Sequence, residues 1–478
     1  MNVQTPHTNP TTALQATLEL QKSAFLKTPF PSFEQRFDWL SRLDGLIRDH
    51  REDIIAALNA DFGNRARNET LLAEIVGCHG AIHYAKKNLQ RWMAPRKRKT
   101  SFWSRPAKAY AFAQPLGVVG IMSPWNYSLN LSIAPLVAAL AAGNRAMLCM
   151  SEETPHLCAL LQKLFEQYFE ADLISISQGG AAVSPAFARL PFGHLLFTGS
   201  TRVGRLIAQA AATNLTPVTL ELGGKSPAIV APDYDVEEAA LRISWGKTFN
   251  AGQTCIAPDY AFIPTAAKDS FSLAVLRKFS KSFKSIHDPD FTAIVSERFF
   301  RRLNDLVTEA EAKGATLLRP DGFAPSETDG IFKFPLTIVL DAPEDCALLK
   351  EEIFGPILPV LTYDSIDEVI SLINAGDRPL SLYTFTHDRA LVDRLQRETV
   401  SGSFGLNETL LQFVQEDLAF GGVGASGQGA YHGQAGFDTF SHIKSVFEQR
   451  GMGRFTGIKL MHPPYGKLAE RVLRLMSK

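Results

Sequence analysis

Cys255 stands in Phe249-Asn250-Ala251-Gly252-Gln253-Thr254-Cys255-Ile256-Ala257, a turn of small and amide residues. A thiol in such a setting is a candidate nucleophile for an electrophilic carbon. Upstream, Glu221 interrupts the apolar run Val218-Thr219-Leu220-Glu221-Leu222-Gly223-Gly224-Lys225. A lone carboxylate in a strand-like run is costly unless it has a partner or a task. Together they point to covalent chemistry followed by base-assisted hydrolysis.

Three further motifs admit two readings each. In Ser123-Pro124-Trp125-Asn126-Tyr127, Asn126 either caps the next helix or offers its amide N–H to a developing oxyanion. Phe197-Thr198-Gly199-Ser200-Thr201-Arg202-Val203-Gly204 follows a strand and opens a helix, where backbone N–H groups can bind phosphate. Its glycine spacing is not G-x-G-x-x-G, so a plain strand-to-helix turn would look the same. Glu351 and Glu352 in Leu348-Leu349-Lys350-Glu351-Glu352-Ile353-Phe354-Gly355-Pro356 are either a solvated pair or acceptors for the sugar hydroxyls of a cofactor.

The remaining chemistry-bearing residues read as structural. Cys149 ends an apolar strand and Cys158 lies in an apolar helix, as small core hydrophobes would. His79 and His83 are one helical turn apart, but Gly80 follows His79 and no third ligand is evident, so no metal is expected. His432 and His442 fall in the tail and are read as structural.

The elements that must carry these residues show in the hydrophobic pattern. Residues Leu14 to Leu89 read as helices, with Leu40, Leu43, Ile47, Ile54, Ile55 and Leu58 at helical spacing. The run Arg91-Trp92-Met93-Ala94-Pro95-Arg96-Lys97-Arg98-Lys99 breaks that pattern and reads as a solvated linker. From Leu116 strands and helices alternate. Strands are expected at Leu116–Met122, Ala146–Met150, Ile174–Ser177, His194–Thr198 and Val218–Leu222, with helices at Leu131–Ala142, Pro155–Phe169 and Arg202–Ala212. Such alternation implies a doubly wound parallel sheet, with ligands at the carboxyl ends of its strands. A second α/β region follows, with strands at Tyr260–Ile263, Phe334–Leu340, Ile357–Thr362 and Leu382–Thr386, and helices at Phe271–Phe283, Glu297–Lys313 and Ser365–Asn374.

Bulk numbers narrow the function class. At 478 residues the chain holds roughly two or three domains. Lys+Arg and Asp+Glu are both 49, so no net charge draws it to nucleic acid or anionic membrane. Five cysteines without a CxxC pair argue against a zinc site or a disulfide framework and fit a reducing compartment. Met1 to Ala13 lacks an apolar core of the secretory kind, and Ala109 to Asn144 is broken by Pro115, Pro124 and Pro135, so a cytoplasmic protein is expected.

Taken together, the Cys255 segment, Leu220-Glu221-Leu222-Gly223-Gly224-Lys225 and Glu352-Ile353-Phe354-Gly355-Pro356 resemble the aldehyde dehydrogenase superfamily, over about Leu14 to Phe447. Phe420-Gly421-Gly422-Val423-Gly424, Tyr431-His432-Gly433 and Gly436-Phe437-Asp438-Thr439-Phe440-Ser441-His442 look like its class 3 branch. Asp61-Phe62-Gly63-Asn64-Arg65-Ala66-Arg67-Asn68-Glu69-Thr70 and Met150-Ser151-Glu152 are similar to the bacterial coniferyl-aldehyde dehydrogenases of that branch.

The resemblance implies a cofactor-binding domain at 14–221 with an inserted arm strand near 108–117, and a catalytic domain at 222–408. Residues 409–447 would return to the cofactor domain and form an oligomerisation arm, with an amphipathic tail at 448–478. It implies that Cys255 attacks an aldehyde, that Asn126 and the Cys255 N–H hold the oxyanion, and that Glu221 activates the hydrolytic water. Gly199, Ser200, Gly204 and Leu222 would border the cofactor, with Glu152 at its adenosine end and Glu352, Phe354 and Trp125 at the nicotinamide end. Tyr127 and Phe420 would line the substrate tunnel, and the protein would be a soluble homodimer.

Three positions depart from the family pattern. Cys149-Met150 stand where Lys-Pro is usual, and Ala419 stands where Pro is usual. Cys149 supplies no charge for a 2′-phosphate and Glu152 would repel one, so NAD is favoured over NADP. The expected substrate is an aromatic, coniferyl-type aldehyde or a medium-chain aliphatic one. Two alternatives stay open: a relative that passes the thioester to coenzyme A or runs reductively, and a non-catalytic protein on the same fold.

Overall fold

The computed structural model describes residues 10–450 and 462–477. Arg454, Lys459 and Lys478 of the tail, and the first nine residues of the expected polar leader, lie outside them.

Five parallel strands and one antiparallel strand form the first sheet. Their order is Gly427–Gln428, Val218–Glu221, His194–Thr198, Val118–Ser123, Arg145–Met150 and Ile174–Gln178. The chain starts at Val118–Ser123, winds outward one way, then crosses to His194–Thr198 and winds the other way. The strand order therefore reverses between those two strands, and in sheets of this kind the ligand crevice lies at their carboxyl ends. Val118–Ser123 is buried at every position, as a strand covered on both faces must be.

The helix Asn130–Ala142 that follows is also buried at every position, which accounts for its lack of charge. It stops at Gly143, whose φ of 91° is open to glycine, and a Cβ there would sit 2.7 Å from the Arg36 guanidinium carbon.

A second sheet of seven strands runs Thr316–Leu318, Thr337–Leu340, Ile357–Tyr363, Tyr260–Pro264, Pro227–Val230, Ser381–Phe385 and Ser403–Leu406. All its pairings are parallel except that of Thr316–Leu318. The helices Val236–Thr248, Lys268–Ser282 and Glu297–Ala312 supply buried residues to its core. A third, three-stranded antiparallel sheet pairs Arg96–Arg98 with Lys108–Pro115, and that strand with Ser441–Glu448.

The basic run at Arg91–Lys99 is not a linker. Arg91 to Met93 finish the helix Gly77–Met93, and Arg96–Arg98 form a strand of the third sheet. There Arg96 makes a bidentate ion pair with Asp438, so part of this basic charge is structural. The strand expected at Phe334–Leu340 begins only at Thr337, because Pro335 has no N–H to give a ladder. The helix Val236–Thr248 and strands Pro227–Val230, Ser403–Leu406 and Ser441–Glu448 are additional to the expected elements.

Candidate active site

Asn126 leaves the end of strand Val118–Ser123, at one lip of the crevice. Its side chain does not cap the following helix. Nδ2 donates instead to the carbonyl of Gln253, at 3.1 Å, two residues before Cys255. The amide that could face an oxyanion is thus tied to the Cys255 loop. Tyr127 reaches the same loop, its hydroxyl 2.6 Å from Thr254 Oγ1.

That loop is held in an unusual shape. Asn250, Ala251 and Gly252 follow one another with φ of 54°, 52° and 71°. Only glycine takes such angles freely. A Cβ on Gly252 would meet the Gly355 carbonyl oxygen at 2.5 Å, so the turn packs directly on the Glu352–Pro356 loop. Gln253 locks the far side, donating to Asn250 and Ala293 carbonyls and accepting from Val295 N–H.

Glu221 ends strand Val218–Glu221, opposite Thr198 in the neighbouring strand. It is buried, and neither carboxylate oxygen has a hydrogen-bond partner among the described residues. Burial holds its carboxyl well above the usual carboxylate range. The Cys255 thiol is pushed up to about 12 by burial, then by the charges of Glu352 and Glu221. Both acids therefore lie within electrostatic reach of the sulfur.

Glu351 and Glu352 separate. Glu351 is exposed, whereas the Glu352 carboxylate turns inward onto Gly223, where no Cβ would fit. Burial and then Asp259 raise Glu352 to about 8. Its loop is pinned through Asp259, which accepts from Ile353 N–H and binds Lys225. Phe354 meets Trp125 edge-on, with ring centroids 5.4 Å apart.

At the opposite lip, Gly199 N–H donates to the Glu221 carbonyl at 3.0 Å, and Ser200 caps the helix Thr201–Ala212. Gly204 faces Leu222, and a Cβ on Gly204 would lie 2.6 Å from Leu222 Cδ2. Glycine here lets the helix approach the strand end. The Thr198 hydroxyl, beside this turn, is buried with no partner among the described residues. An orphaned hydroxyl, a helix N-terminus and an inward carboxylate around one crevice fit a dinucleotide.

Glu152 is exposed in the turn after strand Arg145–Met150. Cys149 is buried, its sulfur 4.0 Å from Ser184 Oγ, and burial pushes its thiol up to about 12. Cys158 is likewise buried. His79 and His83 both face the Asp44 carboxylate. Phe420 is buried and stacks on His432, which is itself buried and held at about 4 by desolvation. His442 lies in strand Ser441–Glu448.

Behind the site is a layer the motifs did not reveal. Arg65 donates to the Asn126 carbonyl at 2.8 Å and pairs with Glu74 at 3.2 Å, both side chains fully buried. Glu69 accepts from the Asn250 N–H. The one available signal was three charged residues in a segment beside apolar helices, which asked for burial partners.

Fold and site thus define a two-sheet α/β oxidoreductase with a thiol, an amide and a buried acid at a dinucleotide crevice. Residues 4–446 match the aldehyde dehydrogenase family, and the chain belongs to it. It is 45% identical over 461 residues to the "Probable coniferyl aldehyde dehydrogenase" of Pseudomonas aeruginosa, covering 96% of this chain and 95% of that one. It is 41% identical to the "Coniferyl aldehyde dehydrogenase" of a Pseudomonas species, covering 97% and 96%. The structure titled "Substrate bound state of Staphylococcus Aureus AldH" superposes with a TM-score of 0.91 at 34% identity, covering 97% and 99%. The protein is an enzyme that oxidises aldehydes with NAD(P).

Proposed function

We propose that Cys255 is the nucleophile and that the enzyme acts on aromatic, coniferyl-type aldehydes with NAD in preference to NADP. The observation that carries the first part is the tie between Asn126 and the Cys255 loop, with the unpartnered Glu221 within electrostatic reach of the same sulfur. The Cys255 thiol gives its proton to water and its sulfur bonds to the aldehyde carbon, whose carbonyl electron pair moves onto oxygen. Asn126 Nδ2–H and the Cys255 N–H hold the resulting oxyanion. A nicotinamide cofactor, when bound, would supply the hydride acceptor that takes this carbon to the thioester level. Glu221 takes a proton from the water that hydrolyses the Cys255 thioester, releasing the acid and restoring the thiol.

Gly199, Ser200, Gly204 and Leu222 would hold the cofactor's phosphate region, and Glu352, Phe354 and Trp125 would hold its nicotinamide end. Glu152 accepts ribose hydroxyls and repels a 2′-phosphate, and buried Cys149 offers no cation in return. Tyr127 and Phe420 line the aldehyde's path, where aromatic walls suit an aromatic substrate. The names of the relatives support the same substrate class. A domain division at 14–221, 222–408 and 409–447 is compatible with the three sheets. We assign the enzyme to the cytoplasm as a homodimer. Among the described residues no helix is long and apolar enough to cross a membrane.

The test is NADH formation over a panel of aromatic and aliphatic aldehydes, with NAD and NADP in parallel. The reading expects the highest kcat/KM for a cinnamyl-type aldehyde with NAD, and no oxidation by Cys255→Ser. Higher kcat/KM for aliphatic aldehydes would move the substrate class. Coenzyme A thioester as the main product would replace hydrolysis by transfer.

A further inference from the structure

We propose that Glu69, as a carboxylate, is a positioning residue that fixes the Asn250–Gly252 turn and so aims Cys255 at the aldehyde. Glu69 lies on the short helix Arg67–Thr70, outside the central sheets. One oxygen, Oε2, accepts from both the Asn250 N–H at 3.1 Å and the Thr292 hydroxyl at 2.6 Å. Asn250 is the first of the three left-handed residues that lead to Cys255. Its backbone is held by Glu69, while its side-chain Nδ2 donates to the Asn126 carbonyl at 3.0 Å and the Gln253 carbonyl at 3.1 Å. Glu69 therefore secures the residue that joins the oxyanion donor to the nucleophile's loop.

The second partner reinforces this. Thr292 accepts from Ala66 N–H, and Ala293 links Asn64 to Gln253. The segment around Glu69, the Cys255 loop and the loop at Thr292 meet at this one carboxylate. Its charged surroundings are Arg65 from its own segment, Lys333 from strand Ile331–Lys333, and Tyr127 near Cys255. Burial outweighs both cations and raises the carboxyl to about 7. When the proton arrives, both donors already occupy Oε2, so it goes to Oε1 and Oε2 becomes a weaker acceptor. The grip on Asn250 loosens below neutrality.

The inference rests on Cys255 being the nucleophile, and its test separates the two. Wild type, Glu69→Gln, Glu69→Ala and Cys255→Ser are compared by three readouts. These are single-turnover NADH formation with enzyme in excess from about pH 6 to about pH 9, alkylation of Cys255 by iodoacetamide, and thermal unfolding. Single turnover reports thiol attack and hydride transfer without deacylation. We expect Glu69→Gln to keep or raise Tm at alkaline pH, since a buried carboxylate that resists ionisation costs stability once ionised. The NAD concentration that gives half the maximal single-turnover rate should stay within about twofold, while that maximal rate and the Cys255 alkylation rate fall on the order of tenfold or more. The extra wild-type decline below about pH 7, on top of the pH dependence of the thiol itself, should be absent from the variant. Wild-type rates and pH profile in Glu69→Gln overturn the proposal. So does a loss of rate that tracks loss of Tm across Gln and Ala. Full activity in Cys255→Ser sinks the nucleophile assignment itself.

Discussion

Burial raises the Glu221 carboxyl well above the usual carboxylate range, which bears directly on its proposed use as a base. Turnover should therefore rise with pH beyond the ordinary carboxylate range as Glu221 gives up its proton. Glu221→Gln should leave single-turnover NADH formation near wild type, because thiol attack and hydride transfer do not need this base. Steady-state kcat should fall by roughly 10²–10⁴ and lose that rise, as acyl-enzyme accumulates. Equal loss in both phases would move Glu221 to the first half of the reaction. Stability runs the other way. The folded pKa lies above the unfolded one, so this group's contribution declines as pH climbs past the ordinary carboxylate range. The Tm advantage of Glu221→Gln should then grow with pH. At the adenosine end, Cys149→Lys supplies the missing cation beside Glu152. It should raise kcat/KM for NADP several-fold while changing that for NAD little. An unaltered NADP/NAD ratio would remove Cys149 from the account of specificity.

The elements that aim these residues are set by a buried ion pair as much as by the sheets. Arg65 joins the Asn126 carbonyl to Glu74, and both side chains of the pair are shut off from water. Glu74 also accepts from Asn130 N–H, at the start of the buried helix Asn130–Ala142. Burial raises its carboxyl despite Arg65. Arg65→Ala should cost about 3–5 kcal/mol at alkaline pH, where Glu74 is left charged and uncompensated. The cost should shrink at acid pH, where Glu74 takes a proton, and denaturant titrations at two pH values measure the difference. A cost independent of pH would mean the loss is packing, not charge. This layer also marks where sequence reading stops. His194–Thr198 was legible to the residue because a fully buried parallel strand is an unbroken apolar run. Glu221 and Asn126 stand out as candidates because each breaks or follows such a run, and Cys255 because it lies in a turn of small and amide residues. Arg65 and Glu69 act through partners 61 and 181 positions away, and no local period encodes such a contact. Strand Pro227–Val230 was hidden by its shortness and its leading proline.

For the whole molecule, the open question is what covers the third sheet. Strand Ser441–Glu448 pairs with Lys108–Pro115 over eight register positions, and its other edge has no strand partner among the described residues. One face alternates Ile443, Ser445 and Phe447, and Phe447 is 55% exposed. A long edge strand with exposed apolar side chains is a template for association unless something covers it. The other face carries Lys444 and Glu448, with His442 between them and the strand start, which favours a defined partner over aggregation. The strand follows the helix Gly433–Thr439, whose Asp438 anchors Arg96 of the same sheet, so the arm is braced against the body. The fitting occupant is a second copy of this chain, and we expect a dimer at micromolar concentration. Ile443→Asp combined with Phe447→Asp places two charges on that face without touching the crevice. In sedimentation velocity the wild type should run as a dimer and the double variant as a monomer with its Cys255 chemistry intact. A double variant that remains dimeric would place the interface elsewhere, and a monomeric wild type would leave the arm without this role.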